Sequence, residues 1–125
     1  MPKKILVVDN ASIVRIVEIT LRRAGYEVIT AFEGAEALEK VRSKRPDMII
    51  LETEMPGGWE VLSRVKGNPE TENIPVLILT KPVSELGEMK GWQAGCASYL
   101  TKPFDPREVV TFVTRIFESI ENDGG

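Results

Sequence analysis

Short runs of apolar residues alternate along the chain with longer segments in which apolar residues recur at helical spacing. The runs lack a strict alternation of apolar and polar positions, which is typical of parallel strands buried on both faces of a sheet. Each run therefore predicts a short buried strand. The runs occupy residues 5–8, 28–29, 48–51, 76–79 and 97–100.

The segments between and after these runs predict five amphipathic helices. In the first, Val14, Val17 and Leu21 share one stripe, and Gly25 follows as a residue suited to end a helix. Pro106 suits the first turn of the last helix. The predicted helices cover residues 12–24, 35–44, 59–66, 84–94 and 106–121.

The regular alternation of strands and helices, joined by short loops, predicts the fold class. Such an order favours right-handed crossovers, and hence a doubly wound α/β domain built on a single five-stranded parallel sheet. No repeat, low-complexity tract or linker divides the chain. We therefore predict one domain over residues 1–125, with a core at 3–121 and a frayed tail at 122–125.

Composition excludes several classes of function. The net charge of −3 argues against nonspecific binding of nucleic acid or of anionic membranes. The absence of histidine excludes a Ser/His/Asp triad, histidine metal ligands and a phosphohistidine. Cys96 is the single cysteine, so no intrachain disulfide or CxxC motif exists, and no apolar run approaches a membrane span. We predict a cytoplasmic domain that binds neither nucleic acid nor membrane.

Polar residues stand where the predicted strands end. Asp9 and Asn10 follow the first strand, Glu52 follows the third, Thr80 follows the apolar run of the fourth, and Lys102 comes shortly after the fifth. In doubly wound sheets the ligand crevice lies outside the carboxyl ends of the strands. A strand that leaves the core often ends in a polar residue, and this explains any one of these positions. Five such positions together favour a functional site.

The residue types in this cluster suit a cation and a phosphoryl group. Carboxylates are typical ligands of Mg²⁺. A hydroxyl and an ammonium suit a tetrahedral oxyanion. The glycine-rich loops that cradle nucleotides are missing, so we predict no organic cofactor.

The strings VVDN, ILETEMPGG, ILT and YLTKPF, in this order, resemble the receiver domain of two-component response regulators. The resemblance covers residues 3–121 and implies a flavodoxin-like fold. It places Glu52 at the phospho-acceptor position, with Thr80 and Lys102 as the catalytic contacts of the phosphoryl group. It also implies a Mg²⁺ site, whose ligand positions would be Asp9, Asn10, Glu52 and the backbone carbonyl of Glu54.

Three features depart from the family pattern. Glu52 replaces the acceptor aspartate, Asn10 replaces the second acid of the Mg²⁺ pair, and MPGGWEVL is two residues shorter than the usual loop. Glu extends its carboxylate about 1.5 Å beyond Asp, against a tolerance of roughly 0.5 Å for productive geometry. We therefore expect weak Mg²⁺ binding. The longer Glu52 can reach Lys102 and Thr80, either as a partial mimic of the phosphorylated state or as an inert ion pair.

Four further residues carry expectations from the resemblance. Pro103 corresponds to a cis-proline, and Tyr99 to an aromatic switch, although a half-buried strand aromatic explains Tyr99 equally well. Lys81 either obstructs movement of Tyr99 or pairs with Glu52. Trp59, which follows the shortened loop, is either exposed beside the pocket or packed against the third helix.

The resemblance also predicts protein partners, namely a histidine kinase, a phosphotransfer protein or an output protein. Their docking face would be helix 4, strand 5 and helix 5, on a monomer or weak dimer. Leu86, Met89 and Trp92 form an apolar stripe on helix 4, and this spacing favours a core position over a partner anchor.

Our functional prediction is a receiver-like signalling domain of a two-component phosphorelay, acting as a phosphorylation-independent or constitutively biased interaction module. The alternative is a Mg²⁺-dependent phosphoreceiver that accepts a phosphoryl group from a histidine kinase at Glu52. In neither case do we predict an enzyme beyond weak autophosphorylation and autodephosphorylation. A small-ligand α/β enzyme is a third alternative, disfavoured by the missing histidine.

Overall fold

Five strands and five helices alternate through residues 2–123, the part of the chain that the computed structural model describes. The strands are β1 (Lys4–Val8), β2 (Glu27–Ala31), β3 (Met48–Leu51), β4 (Val76–Thr80) and β5 (Ser98–Thr101). The helices are α1 (Ala11–Arg23), α2 (Gly34–Lys44), α3 (Gly58–Lys66), α4 (Glu85–Gln93) and α5 (Pro106–Asp123). The predicted order of elements is confirmed.

All five strands lie parallel in one sheet, in the order β2-β1-β3-β4-β5. After β1 the chain adds β2 on one side, and every later strand is added on the other side. The switch point therefore lies between β1 and β3, where Val8 is in register with Leu51. Because the strands are parallel, their carboxyl ends meet at one edge of the sheet, and the predicted doubly wound fold is confirmed.

The core has two parts, one on each face of the sheet. Along β1, Ile5 and Val7 pack with α1 and α5, whereas Leu6 and Val8 pack with α2 and α3. Successive side chains of a strand point to opposite faces, so a strand covered on both faces needs an apolar residue at every position. This explains the continuous apolar runs in the sequence.

The element boundaries agree with the predicted ones or differ from them by at most two residues. α1 begins at Ala11 because Asn10 caps it. α5 continues to Asp123, two residues beyond its predicted end, so the predicted tail is helical over 122–123. Gly124 and Gly125 lie outside the described residues. Within residues 2–123, no helix is long and apolar enough to span a membrane.

The prediction that the apolar stripe of α4 faces the core is wrong. Leu86 is 78% exposed, and Met89 and Trp92 are also exposed, whereas the buried residue of α4 is Gly91. A Cβ atom added at Gly91 would lie 2.7 Å from the hydroxyl oxygen of Tyr99. The Tyr99 ring thus fills the space beneath Gly91, and α4 approaches the sheet through its glycine side and turns its apolar stripe outward.

Candidate functional site

Four of the polar residues predicted from the strand ends lie together at the carboxyl edge of the sheet. Asp9 follows β1, Glu52 follows β3, Thr80 ends β4, and Lys102 follows β5. Asp9, Glu52 and Thr80 are buried, and Lys102 is half-buried. The parallel topology brings residues separated by up to 93 positions within contact distance.

The ammonium of Lys102 bridges the two carboxylates. Its Nζ lies 2.8 Å from Oδ2 of Asp9 and 3.0 Å from Oε1 of Glu52. The side chains of Asp9, Glu52 and Lys102 are 3%, 10% and 16% exposed, so solvent screens these contacts far less than it screens surface pairs. The cluster keeps one net negative charge in a largely dry setting.

Both oxygens of the Glu52 carboxylate have partners. While Oε1 contacts Lys102, Oε2 accepts a hydrogen bond of 3.0 Å from the backbone N–H of Glu54. The Glu54 side chain itself is exposed. The extra methylene of Glu52 thus lets its carboxylate reach the lysine, as the sequence predicted, while it remains tied to the loop that follows.

Asn10 directs its side chain away from the cluster. Its Oδ1 accepts a hydrogen bond of 3.0 Å from the N–H of Ile13 and so caps α1. The residue is exposed, and its own N–H donates to Oδ1 of Asp9 at 2.7 Å. A side-chain oxygen at this position satisfies one of the unpaired N–H groups of the first helical turn. In this structure Asn10 serves the helix and orients Asp9.

Within residues 2–123, two buried hydroxyls on or next to residues of the cluster have no well-directed hydrogen bond. They belong to Thr80, at the end of β4, and to Thr53, which directly follows Glu52. Thr53 was missed in the sequence, where its position next to the acceptor was the available signal. Buried hydroxyls are usually paired. The Thr80 hydroxyl is close enough to the Glu52 carboxylate to favour its charged form, whereas the Thr53 hydroxyl has no partner among the described residues.

The pKa values of the cluster shift in opposite directions. Burial raises the pKa of Asp9, and the contacts with Lys102 and the N–H of Asn10 do not offset it. Burial also acts on Glu52, but the Thr80 hydroxyl, the Glu54 N–H and Lys102 together lower the pKa of Glu52. Burial works against the charged form of Lys102, yet the two carboxylates raise its pKa.

The raised pKa of Lys102 predicts a loss of stability in alkali. Lys102 contributes stability that is fully present below the unfolded pKa of 10.5 and is lost as the pH rises through the higher folded pKa. We expect the difference in unfolding free energy between the native chain and Lys102→Met to be constant near pH 9 and to narrow above about pH 10.5.

Urea unfolding at a series of alkaline pH values measures this difference. A difference that stays unchanged to the highest accessible pH would contradict the pairing of Lys102. Unfolding at acid pH is less informative, because Asp9 and Glu52 change the free energy of unfolding in opposite directions. The contribution of Glu52 is lost as the pH falls below 4.5, whereas protonation of Asp9, whose pKa is raised, favours the folded state.

The residues present do not fit a strong Mg²⁺ site in this arrangement. Receiver domains commonly bind Mg²⁺ when they are active. Here the carboxylates of Asp9 and Glu52 are bound to Lys102, and the amide of Asn10 caps α1. Residues 2–123 contain no group of three or more acidic, cysteine or histidine ligands that could hold a metal ion. Weak Mg²⁺ binding stays a prediction.

The residues expected to act as switch or partner contacts surround the cluster. Tyr99 is half-buried, and its hydroxyl donates a hydrogen bond of 3.2 Å to the carbonyl of Gly87 in α4. The Lys102–Pro103 bond is cis. Lys81 is exposed and forms no ion pair within the described residues, so the predicted pairing with Glu52 is not found.

Trp59 packs against the core and also contacts α4. It is half-buried beside the α2–α3 part of the core, which agrees with packing against α3 rather than full exposure at the pocket. The Nζ of Lys90 lies 4.1 Å from the centre of a Trp59 ring, within range of a cation–π contact. Trp59 therefore links the shortened loop to α4.

Gly58 is required by the close packing of the shortened loop. A Cβ atom at this position would lie 2.5 Å from the backbone oxygens of both Glu52 and Thr53. We expect Gly58→Ala to lower the free energy of unfolding by about 2 kcal/mol, because backbone atoms must move to admit the methyl group. Urea unfolding checks this, with Gly67→Ala, at the end of α3, as a milder control. Equal effects of the two substitutions would contradict it.

A doubly wound sheet that gathers two acids, a hydroxyl and an ammonium at the carboxyl ends of its strands has the layout of a phosphoryl-receiving signalling domain. Residues 5–114 match the model of the response regulator receiver domain, and the chain belongs to this family. Receiver domains are signalling modules of two-component systems rather than enzymes, so the small-ligand enzyme is not supported.

Individual relatives agree with this family. The chain is 41% identical over 124 residues to the alkaline phosphatase synthesis transcriptional regulatory protein PhoP of Bacillus subtilis (strain 168), a match covering 97% of this chain and 51% of that protein. The chain thus spans about half the length of this curated relative.

Solved structures give the same fold. The chemotaxis protein CheY4 of Vibrio cholerae is 36% identical with a TM-score of 0.87, covering 93% of this chain and 99% of that chain. A CheY-like receiver domain protein of Methanospirillum hungatei JF-1 has a TM-score of 0.90 over 98% of this chain and 99% of that chain, and at 23% identity it shows the fold alone.

Proposed function

We propose that this receiver domain is a protein-interaction module of a two-component system whose signalling state does not depend on phosphorylation at position 52. The observation that carries this proposal is the double engagement of the Glu52 carboxylate, by Lys102 at 3.0 Å and by the N–H of Glu54 at 3.0 Å. A carboxylate that attacks a phosphodonor must present a free oxygen lone pair in line with the phosphorus. To turn an oxygen toward a phosphodonor, the Glu52 carboxylate would have to loosen its contact with Lys102 or with the N–H of Glu54.

The same contacts support a biased state of the domain. Glu52 holds negative charge next to Lys102 and Thr80, the residues that would contact a phosphoryl group. The carboxylate therefore mimics part of that charge without any transfer step, and the lowered pKa of Glu52 keeps it ionised at neutral pH. An inert ion pair would have the same geometry but no effect on partner binding.

We infer that partners dock on the face formed by α4, β5 and α5. This face carries an exposed apolar stripe on α4, and contiguous exposed apolar side chains are typical of an interaction site. Its members are Leu86, Met89 and Trp92. The partner we infer is another protein of the two-component system, such as a histidine kinase, a phosphotransfer protein or an output protein. A single buried, unpaired Cys96 fits the cytoplasmic location that we infer.

A second candidate function is a phosphoreceiver that uses Glu52 as acceptor. The observation that favours it is the buried Thr80 hydroxyl, which has no well-directed hydrogen bond and stands beside the carboxylate. A phosphoryl oxygen would satisfy this donor. An acyl phosphate on Glu52 requires that the Lys102 and Glu54 contacts first be released.

Incubation with acetyl phosphate and Mg²⁺, followed by intact-mass spectrometry, tests the proposal. We expect no phosphoryl adduct on the native chain and no change in its amide NMR spectrum. A stoichiometric adduct that maps to Glu52 and is released by hydroxylamine would instead establish the phosphoreceiver. Glu52→Gln is the matched control, because it keeps the length of the side chain but removes the carboxylate that would accept the phosphoryl group.

A further inference from the structure

A second concave surface lies between α2 and α3, at the opposite edge of the sheet from the phosphoryl site. This α2–α3 groove has a volume of about 700 Å³ and is formed by the C-terminal halves of the two helices with the segment that leads into β4. The apolar residues of its floor are Leu38 and Ile74, which are half-buried, and Val41 and Val65, which are buried, and polar groups lie beside them. The groove is within the size range of binding sites in proteins.

The rim of the groove is basic on a chain that is acidic overall. Three arginines line it, Arg42, Arg45 and Arg64, against one carboxylate, Glu70. Arg64 pairs with Glu60 on its own helix. No ion pair occupies Arg42 or Arg45 within residues 2–123. Guanidinium groups bind carboxylates through paired, planar hydrogen bonds, so the rim suits an anionic ligand.

Arg45 differs from Arg42 in its place at the end of α2. Basic residues in the last helical turn, such as Arg42, complement the helix dipole and need no other explanation. Arg45 instead lies just past α2, in the left-handed conformation with φ of 47°. Glycine is the preferred residue in this conformation because it has no Cβ atom to strain. The N–H of Arg45 bonds to the carbonyl of Val41 and so ends the helix, while its exposed guanidinium forms no ion pair within residues 2–123 and is available to a ligand.

We propose that the α2–α3 groove binds an acidic amphipathic segment of a partner protein, through its apolar floor and the guanidinium groups of Arg42 and Arg45. An apolar floor beside unpaired arginines requires a ligand that presents apolar side chains next to carboxylates. An amphipathic helix with an acidic face meets both demands, whereas a small inorganic anion leaves the floor uncovered. This surface is separate from the α4-β5-α5 face and does not depend on Glu52.

Methyl NMR on the full chain tests this proposal. The probe is a synthetic helical peptide with leucines on one face and glutamates on the other, and its counterpart carries lysines in place of the glutamates. We expect saturable shifts of the Ile74 and Leu38 methyl signals with the acidic peptide and none with the lysine peptide. The affinity for the acidic peptide should fall about fivefold as salt rises from about 50 to about 300 mM. Ile16 and Ile19, exposed on α1, serve as internal references.

The variant Arg45→Gly separates binding from folding. We expect this variant to bind the acidic peptide at least about fivefold more weakly, because a charge-assisted hydrogen bond is lost. The melting temperature should stay unchanged or rise, because glycine adopts the left-handed conformation without strain. Arg42→Ala should weaken binding similarly. The matched control is Arg23→Ala, which removes an exposed arginine from the last turn of α1. This variant should bind the acidic peptide as tightly as the native chain does.

Three results would overturn the proposal. They are the absence of saturable Ile74 shifts, equal shifts with the lysine peptide, and displacement of the acidic peptide by inorganic pyrophosphate, which would indicate a small-anion site. Groove binding should persist in Glu52→Asp. A failure of the groove is therefore distinguishable from a failure of the phosphorylation-independent function.

Discussion

Replacing Lys102 by methionine is expected to lower the free energy of unfolding by about 3 kcal/mol at neutral pH. The ammonium is the group that compensates two carboxylates, those of Asp9 and Glu52, which are 3% and 10% exposed. Its removal leaves two like charges in a dry pocket. Loss of one partner from a buried pair costs far more than the net contribution of the intact pair, because desolvation of the remaining charge is no longer offset.

Urea unfolding of Lys102→Met beside Lys81→Met measures this effect. Lys81 is exposed and forms no ion pair among the described residues, so its replacement should change the free energy of unfolding by less than about 0.5 kcal/mol. Adding Glu52→Gln to Lys102→Met should recover at least half of the loss, because one of the two stranded charges is removed. Equal stabilities of the two lysine variants would mean that the contacts of Lys102 with Asp9 and Glu52 do not stabilise the fold.

Replacing Glu52 by aspartate is expected to turn a silent site into a responsive one. The shorter side chain withdraws the carboxylate by about 1.5 Å and so loosens its contact with Lys102. A displacement of this size can change the rate of a positioned reaction about 100-fold. We therefore expect Glu52→Asp to acquire a phosphoryl group from acetyl phosphate, with Mg²⁺ present, at least about 100-fold faster than any background reaction of the native chain.

Tryptophan fluorescence gives a second measurement of the same change. Trp59 follows the shortened loop and contacts Lys90 of α4, so it should respond when the loop moves. Titration with Mg²⁺ and then beryllofluoride should leave the native chain unchanged and produce a saturable change in Glu52→Asp. Glu39→Asp, at an exposed glutamate of α2, is the matched control, because it also removes one methylene but leaves Glu52 in place. A saturable response of the native chain would favour the phosphoreceiver over our proposal.

The positions of the site residues could be predicted from the sequence because all five strands are parallel. Once buried runs are recognised as strands of one doubly wound sheet, the residues that follow them must meet at its carboxyl edge. Asp9, Glu52, Thr80 and Lys102 do meet there. The direction of the Asn10 side chain was not predictable in this way, because capping of α1 competes for the same amide oxygen.

The sequence by itself determined the ten elements, the parallel sheet and the polar cluster at its edge, because apolar runs and helical spacing are local patterns. Only the tertiary structure decided which side of α4 faces the core, since periodicity defines a stripe but not the neighbour that it meets. The ring of Tyr99 fits beneath Gly91, and this turns the stripe of α4 outward. The α2–α3 groove is likewise a product of packing, because its floor and rim come from segments that become neighbours only when the sheet forms.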